Sequence, residues 1–206
     1  MNDTRDRILT KALALFNESG IEYVGMRELA ASLDMRIGNV TYYFATKDEL
    51  VAQLAKQYSD SNSKIHADHP TIGLYAFLKK NELLFKNMIG SRCLMLSMVH
   101  IMLRNPIMAA QYDKVQNMRR AGLEQSIRSL CEKNFLKVQS ADEHWFMVSA
   151  NSLINRFWMS EAALSINSLG IEQQAGHYLK LLAYVFMPYA TKTGLKELGL
   201  FLEELG

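Results

Sequence analysis

Cysteine, proline and an excess of either charge are all scarce in this sequence. Its 206 residues include two cysteines and three prolines and carry a formal net charge of +2. Two cysteines exclude a disulfide scaffold. Cys93 and Cys131 each sit among apolar neighbours and read as buried, inert thiols, with a redox pair as the alternative. Few prolines and 21% charged residues exclude a disordered chain. Lys and Arg at 23 nearly balance Asp and Glu at 21, so bulk charge proposes neither nucleic acid nor an acidic membrane as partner. Long apolar runs are also missing. The most apolar segment, Cys93 to Leu103, is broken by Ser97 and His100 and bracketed by Arg92 and Arg104, and it has about half of the roughly 20 residues a bilayer crossing needs. Met1 to Asp6 shows no apolar stretch behind a basic start, so no secretory leader and a cytoplasmic location are expected.

Catalytic signatures are absent as well. There is no Gly-rich phosphate loop, no nucleophile elbow and no Glu-x-x-His pair of a di-iron bundle. His66-Ala67-Asp68-His69 has metal-ligating residue types, but it precedes Pro70 in a polar stretch and reads as a solvated loop. An enzyme is therefore the weakest class, and neither a cofactor nor a metal is expected.

What remains is a chain rich in helix formers. Leucine and methionine together outnumber valine, isoleucine and threonine, and no alternating strand pattern stands out. The fold expected is all-α. A first helix over about 4–19 carries the stripe Ile8, Ala12, Leu15, Phe16 and stops at Gly20, with Ile21 placed for a Schellman contact. A short helix runs from Met26 to Leu33 behind Gly25. A turn at Asp34-Met35-Arg36 leads to a third helix at about 37–43. Thr46 with Glu49 three residues on is a capping-box spacing for a fourth. Residues 59–70 are polar and mark a boundary. Longer helices are expected at about 71–89, 91–104, 106–136, 140–167, 172–187 and 193–205. The division expected is 1–56 as an N-terminal three-helix helix-turn-helix domain and 57–206 as a larger helical domain for ligand binding and dimerisation.

Two short helices joined by a tight turn, behind a longer one, follow the helix-turn-helix plan, whose second short helix enters a DNA major groove. At about 100° per residue, Val40 and Phe44 fall on one side of that helix with Tyr43 flanking. Gly38, Asn39, Thr41 and Tyr42 face the other way. That outward face is small and hydrogen-bonding: Asn can pair with adenine, Thr can donate to a base or touch a thymine methyl, and Gly38 permits close approach.

These segments resemble a known family. Thr4-Arg5-Asp6-Arg7-Ile8-Leu9 opens the first helix and Ala14-Leu15-Phe16-Asn17-Glu18-Ser19-Gly20 ends it. Met26-Arg27-Glu28-Leu29-Ala30, then Gly38-Asn39-Val40-Thr41-Tyr42-Tyr43-Phe44, then Thr46-Lys47-Asp48-Glu49-Leu50 follow in order. The stretch resembles the DNA-binding domain of the tetracycline-repressor (TetR) family of bacterial regulators. The resemblance implies a homodimer, a double-stranded DNA operator and a small-molecule effector that alters the separation of the two heads. It also implies roles for residues: Arg27 for base or phosphate contact, Tyr42 and Lys47 for clamping phosphate, Asn39 and Thr41 for reading bases, with Arg36, Ile37 and Gly38 at the start of the recognition helix. The chain departs from the family pattern at Gly25, which lacks a capping hydroxyl, at Asp34, where glycine is usual, and at Thr41, where tyrosine is frequent.

In the larger part, Phe146, Ala150, Leu153, Phe157 and Leu164 form one stripe of a helix, and Met147, Ile154, Trp158 and Ala162 a second. Apolar residues on two faces suggest burial on both sides. Together with Tyr178, Leu182 and Phe186 of the next long helix, Phe146, Leu153, Phe157 and Trp158 read as an isologous four-helix dimer interface. Met88, Met98 and Met102, with Phe85, His100, Tyr112 and Asn151, form either ordinary core or an adaptable pocket for an apolar ligand. Asn151 and Asn155 suit either a ligand or a kinked backbone. The function expected is a ligand-responsive transcriptional repressor. The rival is a helical ligand-binding or scaffold protein whose helix-turn-helix no longer binds DNA.

Overall fold

The computed structural model describes residues 3–206, and they are all-α. They form eleven α-helices and one short 3-10 turn, with a single isolated bridge, Leu136 to Ala190, as their sole extended pairing. The helices are α1 (Asp3–Ser19), α2 (Met26–Ser32), α3 (Ile37–Tyr43), α4 (Lys47–Asp68), α5 (Leu74–Gly90), α6 (Arg92–Leu96), α7 (Met98–Arg104), α8 (Pro106–Glu132), α9 (Ala141–Ser165), α10 (Ile171–Phe186) and α11 (Lys192–Glu204). None of them is long and apolar enough to cross a membrane.

The chain divides into two compact units. The first runs to Ser63 and resumes over Asn87–Met108; the second comprises Lys64–Lys86 and Ala109–Gly206. In the first, Ile8, Ala12 and Phe16 of α1 are buried with Leu29 of α2, Val40 of α3, Phe44, and Leu50 and Leu54 of α4. Each such side chain contributes roughly 1.5–3 kcal/mol when fully withdrawn from water. In the second, Phe85 stacks on Trp158 with ring centroids 4.8 Å apart, and Phe77 meets Phe186 edge-on at 5.3 Å. Leu182, Ala162 and Phe201 are completely buried there.

Several boundaries differ from expectation for physical reasons. The polar stretch from Ser59 to Asp68 forms the last turns of α4, and the division between the two units falls inside it. Asn62 is buried and accepts a hydrogen bond from Asn87 Nδ2 at 2.7 Å, and Ser61 Oγ donates to Asn87 Oδ1 at 3.0 Å. Polar side chains satisfied on α5 let this segment stay helical. His66 and Asp68 therefore lie on a helix rather than in a solvated loop. The helix expected over 91–104 breaks at Ser97, whose hydroxyl donates to Glu22 Oε2 at 3.0 Å. Helix α8 ends at Glu132 because Asn134 turns left-handed (φ 60°), with Phe135 N–H bonded to Leu130 O and Asn134 N–H to Cys131 O in a Schellman arrangement. Gly20 is left-handed (φ 89°), but its N–H bonds Phe16 O in the simpler single-bond cap.

Candidate nucleic-acid interface

The first unit presents α3 on a buried footing. Val40 is fully buried and Phe44 nearly so, and Arg5 Cζ lies 4.9 Å from the Phe44 ring centroid, tying the start of α1 to the end of α3. The recognition helix thus has one face locked by its core. The turn before it is also well made. Asp34 takes φ 54°, Asp34 N–H bonds Ala31 O at 3.1 Å, and Met35 N–H bonds Ala30 O at 2.9 Å. This is a Schellman close to α2, with an aspartate where the left-handed residue is needed. At the start of α4, Glu49 N–H donates to Thr46 Oγ1 at 3.2 Å and Glu49 Oε2 accepts Ala45 N–H at 2.9 Å. The box closes one residue earlier than the usual pattern, on Ala45 rather than on the cap itself.

The opposite face of α3 is open. Gly38 and Asn39 are exposed, Tyr42 is 84% exposed, and Arg36 and Ile37 lie exposed at the start of the helix. A Cβ built on Gly38 would meet nothing within 4 Å, so the surface there is free for close approach. Tyr42 and Tyr43 pack edge to face at 5.2 Å, which restrains the Tyr42 ring while leaving its hydroxyl in solvent. Thr41 is half-buried, and its hydroxyl is within reach of Ile37 O at 3.2 Å and Gly38 O at 3.3 Å. With its proton donated inside the helix, Thr41 offers a methyl and an acceptor to a base rather than a donor. Arg27, on α2, is exposed. Lys47 is half-buried, its Nζ 3.5 Å from Glu22 O and 5.8 Å from the Phe16 ring centroid. That carbonyl contact is long, so the ammonium keeps donors for a further acceptor.

Sequence reasoning missed two residues that hold this unit together. Asn17 closes α1: its Nδ2 donates to Gly90 O at 2.9 Å, its Oδ1 accepts Cys93 N–H at 3.0 Å, and its carbonyl accepts Arg92 Nε–H at 2.7 Å. Arg5 is the other, over Phe44. Both are polar residues on an amphipathic helix, and helical periodicity does not reveal such a partner. Beside Asn17 an open cavity of about 420 Å³ is lined by Phe16, Gly20, Glu22, Cys93, Ser97 and His100 among others. Burial pushes the Cys93 thiol up to about 11, which removes it as a thiolate nucleophile at neutral pH.

The residues expected to form an effector pocket are divided between the units. Met88, Met98, His100 and Met102 belong to the first, and Phe85, Tyr112 and Asn151 to the second. Met88 and Met98 are buried and His100 is exposed. Phe85 is taken up by its stack on Trp158. Asn151 is buried with no partner for its Oδ1.

The expected dimer residues also separate. Phe146 (48% exposed) and Leu153 (61%) are at the surface and Phe157 is half-buried, as is Ala150, with Leu164 exposed further along. Trp158, Tyr178, Leu182 and Phe186 are buried in their own protomer instead. They complete the second unit's core, and a second copy resting on α9 and α10 would meet Phe146, Leu153, Leu181 and Tyr184. The two stripes of α9 thus have different fates: Met147 and Trp158 turn inward, while Phe146 and Leu153 turn outward.

Comparison with known proteins agrees with this arrangement. A family model described as "Bacterial regulatory proteins, tetR family" matches residues 8–54, and one described as "TetR: Bacterial transcriptional repressor" matches residues 51–198. The "Probable HTH-type transcriptional regulator YttP" of Bacillus subtilis (strain 168) is 34% identical over 61 residues, a match that spans 30% of this chain and 30% of that protein. A TetR-family transcriptional regulator of Marinobacter aquaeolei VT8 has a similar fold, with a TM-score of 0.87 at 20% identity over 98% of both chains. A complex of SmeT with triclosan has a TM-score of 0.62 at 14% identity over 93% of both chains.

Proposed function

The chain belongs to the TetR family of bacterial transcriptional regulators, and on that premise we propose that it is a repressor that binds an inverted-repeat operator as a homodimer. The observation that carries this reading is the sorting of α3, with Val40 and Phe44 buried and Asn39 and Tyr42 exposed. A helix docked in a major groove needs that pairing of a fixed inner face and a free outer one. Asn39 and Thr41 read base edges in this account. Gly38 and Ile37 allow approach, and Arg27, Arg36, Tyr42 and Lys47 hold phosphates and set the register. Residues 1–56 act as the DNA-binding head and 57–206 as the sensing and dimerising body. A small molecule in the body switches the heads, a proposal to which the triclosan-bound SmeT lends support. The protein works in the cytoplasm and has no catalytic role.

The dimer forms through the exposed stripe Phe146, Leu153, Phe157 on α9 with Leu181 and Tyr184 on α10. Such a two-fold interface sets two recognition helices against half-sites one helical turn, about 34–36 Å, or a multiple of it apart. Selection from random duplex DNA with the full-length protein tests the reading. It is expected to enrich a palindromic site whose half-site centres have that spacing. Enrichment of no sequence, or of a lone half-site, would overturn it.

A further inference from the structure

The second unit holds two cations, one on α5 and one on α9, with no carboxylate in an ion pair with either among the described residues. Lys80 on α5 is 7% exposed, and its ammonium has a single hydrogen-bond partner, Thr71 Oγ1 at 2.7 Å. Among the described residues no carboxylate comes within ion-pair distance of it, nor of Arg156 on α9. Arg156 is half-buried, 6.0 Å over the Tyr112 ring of α8 and the same distance from Phe157, with only a 3.5 Å contact to Gln116 Oε1. Asn155 and Asn81, the neighbours of Arg156 and Lys80, hydrogen-bond at 3.0 Å and so fix α9 against α5 at this level. One turn below Asn155 lies Asn151, whose buried Oδ1 has no partner.

The electrostatics place these groups in one field. Desolvation, helped by the nearby charges of Lys80 and Arg119, pushes the His66 imidazole down to about 4, so it adds no charge of its own at neutral pH. Arg119 and Arg156 both act on Tyr112, and Asp113 is the one acid that reaches the same ring. Burial alone lowers the pKa of Lys80. Withdrawing a cation from water without an anionic partner is costly. An anionic ligand bound there would supply the missing charge.

We propose that the effector of this regulator is a small organic anion, a carboxylate or a phosphate ester, held by Lys80 and Arg156 with its body against Tyr112. The proposal rests on the reading of the second unit as a sensor. It differs from the apolar ligand that was one reading of the methionine content. Arg156 presents the planar fork suited to either oxyanion, and Lys80 a point charge.

The test is calorimetric and uses the full-length protein without DNA, so that failure of the DNA-binding reading and failure of this one are told apart. Octanoate, octyl phosphate, 1-octanol and octylammonium are titrated at constant ionic strength. At least one of the two anions is expected to bind about tenfold or more tightly than octanol, the scale of a charge-assisted hydrogen bond, with octylammonium the weakest. Arg156→Gln and Lys80→Met are each expected to lose about tenfold for that anion while octanol is unaffected. Should Lys80→Met fail to fold, Arg156→Gln and Lys80→Gln carry the same comparison. Octanol binding as tightly as both anions, anion binding indifferent to these substitutions, or no binding of either anion would overturn the proposal.

Discussion

Asn39 is exposed on the outward face of a helix whose inner face is locked, and it has the side chain best suited to a base edge. Asn39→Ala is expected to relax preference at one base pair by about 1–3 kcal/mol while leaving other positions unchanged, as read by selection with the variant. The same consensus from parent and variant would remove Asn39 from the readers. Asp34 illustrates a different residue-scale cost. At φ 54° a β-branched side chain is strained, so Asp34→Val is expected to lower the unfolding free energy by about 1–2 kcal/mol in denaturant titration. The wheel placed Val40 and Phe44 inward and the exposed residues outward without any structure, because a 3.6-residue period is a property of the backbone. It could not foresee that Thr41 would spend its proton on Ile37 and Gly38, because back-bonding depends on a rotamer and not on a register.

At the scale of elements, the sequence was most legible where helices are short and capped. Met26 and Lys47 begin α2 and α4 beside the expected Gly25 and Thr46, and Ile37 begins α3 after the expected turn. It was least legible where polar groups find distant partners. Asn62 and Asn87 keep α4 helical through residues read as a boundary, and Ser97 breaks α6 from α7 through Glu22. In the second unit, Thr191 caps α11 through Gly194 N–H at 3.2 Å while its hydroxyl donates to Asn134 O at 2.7 Å. A Cβ on Gly194 would come within 2.1 Å of Phe135 O, so only glycine lets the loop after α8 close against α11. Gly194→Ala is expected to destabilise the protein by about 1–3 kcal/mol, measured as a lower denaturant midpoint. Gly199→Ala, with nothing within 4 Å of its Cβ, is the control on the same helix and should not destabilise it.

On the scale of the whole molecule, α9 carries one buried stripe and one exposed stripe, and mutation tests the dimer role proposed for the exposed one. Leu153→Glu or Phe146→Glu is expected to shift the protein to monomer in sedimentation while its helical content is kept, because both side chains are at the surface of the protomer. Trp158→Ala, by contrast, empties a site stacked on Phe85 and is expected to cost about 3–5 kcal/mol of protomer stability. Two apolar stripes were visible in the sequence, but which of them stays at the protomer surface was not, since hydrophobicity alone does not distinguish a core from an exposed face. Charge is the other whole-molecule property. Residues 1–56 hold seven Lys or Arg and eight Asp or Glu, so the proposed head has no positive excess, and the reading as a DNA-binding dimer requires placed contacts and two-fold avidity. The most direct test is therefore the salt dependence of binding to the selected palindrome, followed by fluorescence anisotropy for the parent, Lys47→Ala and Tyr42→Phe. The account predicts weaker binding in both variants, with the slope of log K against log salt shallower by about 1.8 in Lys47→Ala, one phosphate per head, and unchanged in Tyr42→Phe. Parental affinity and slope in both variants, or binding to a scrambled duplex as tight as to the palindrome, would contradict it.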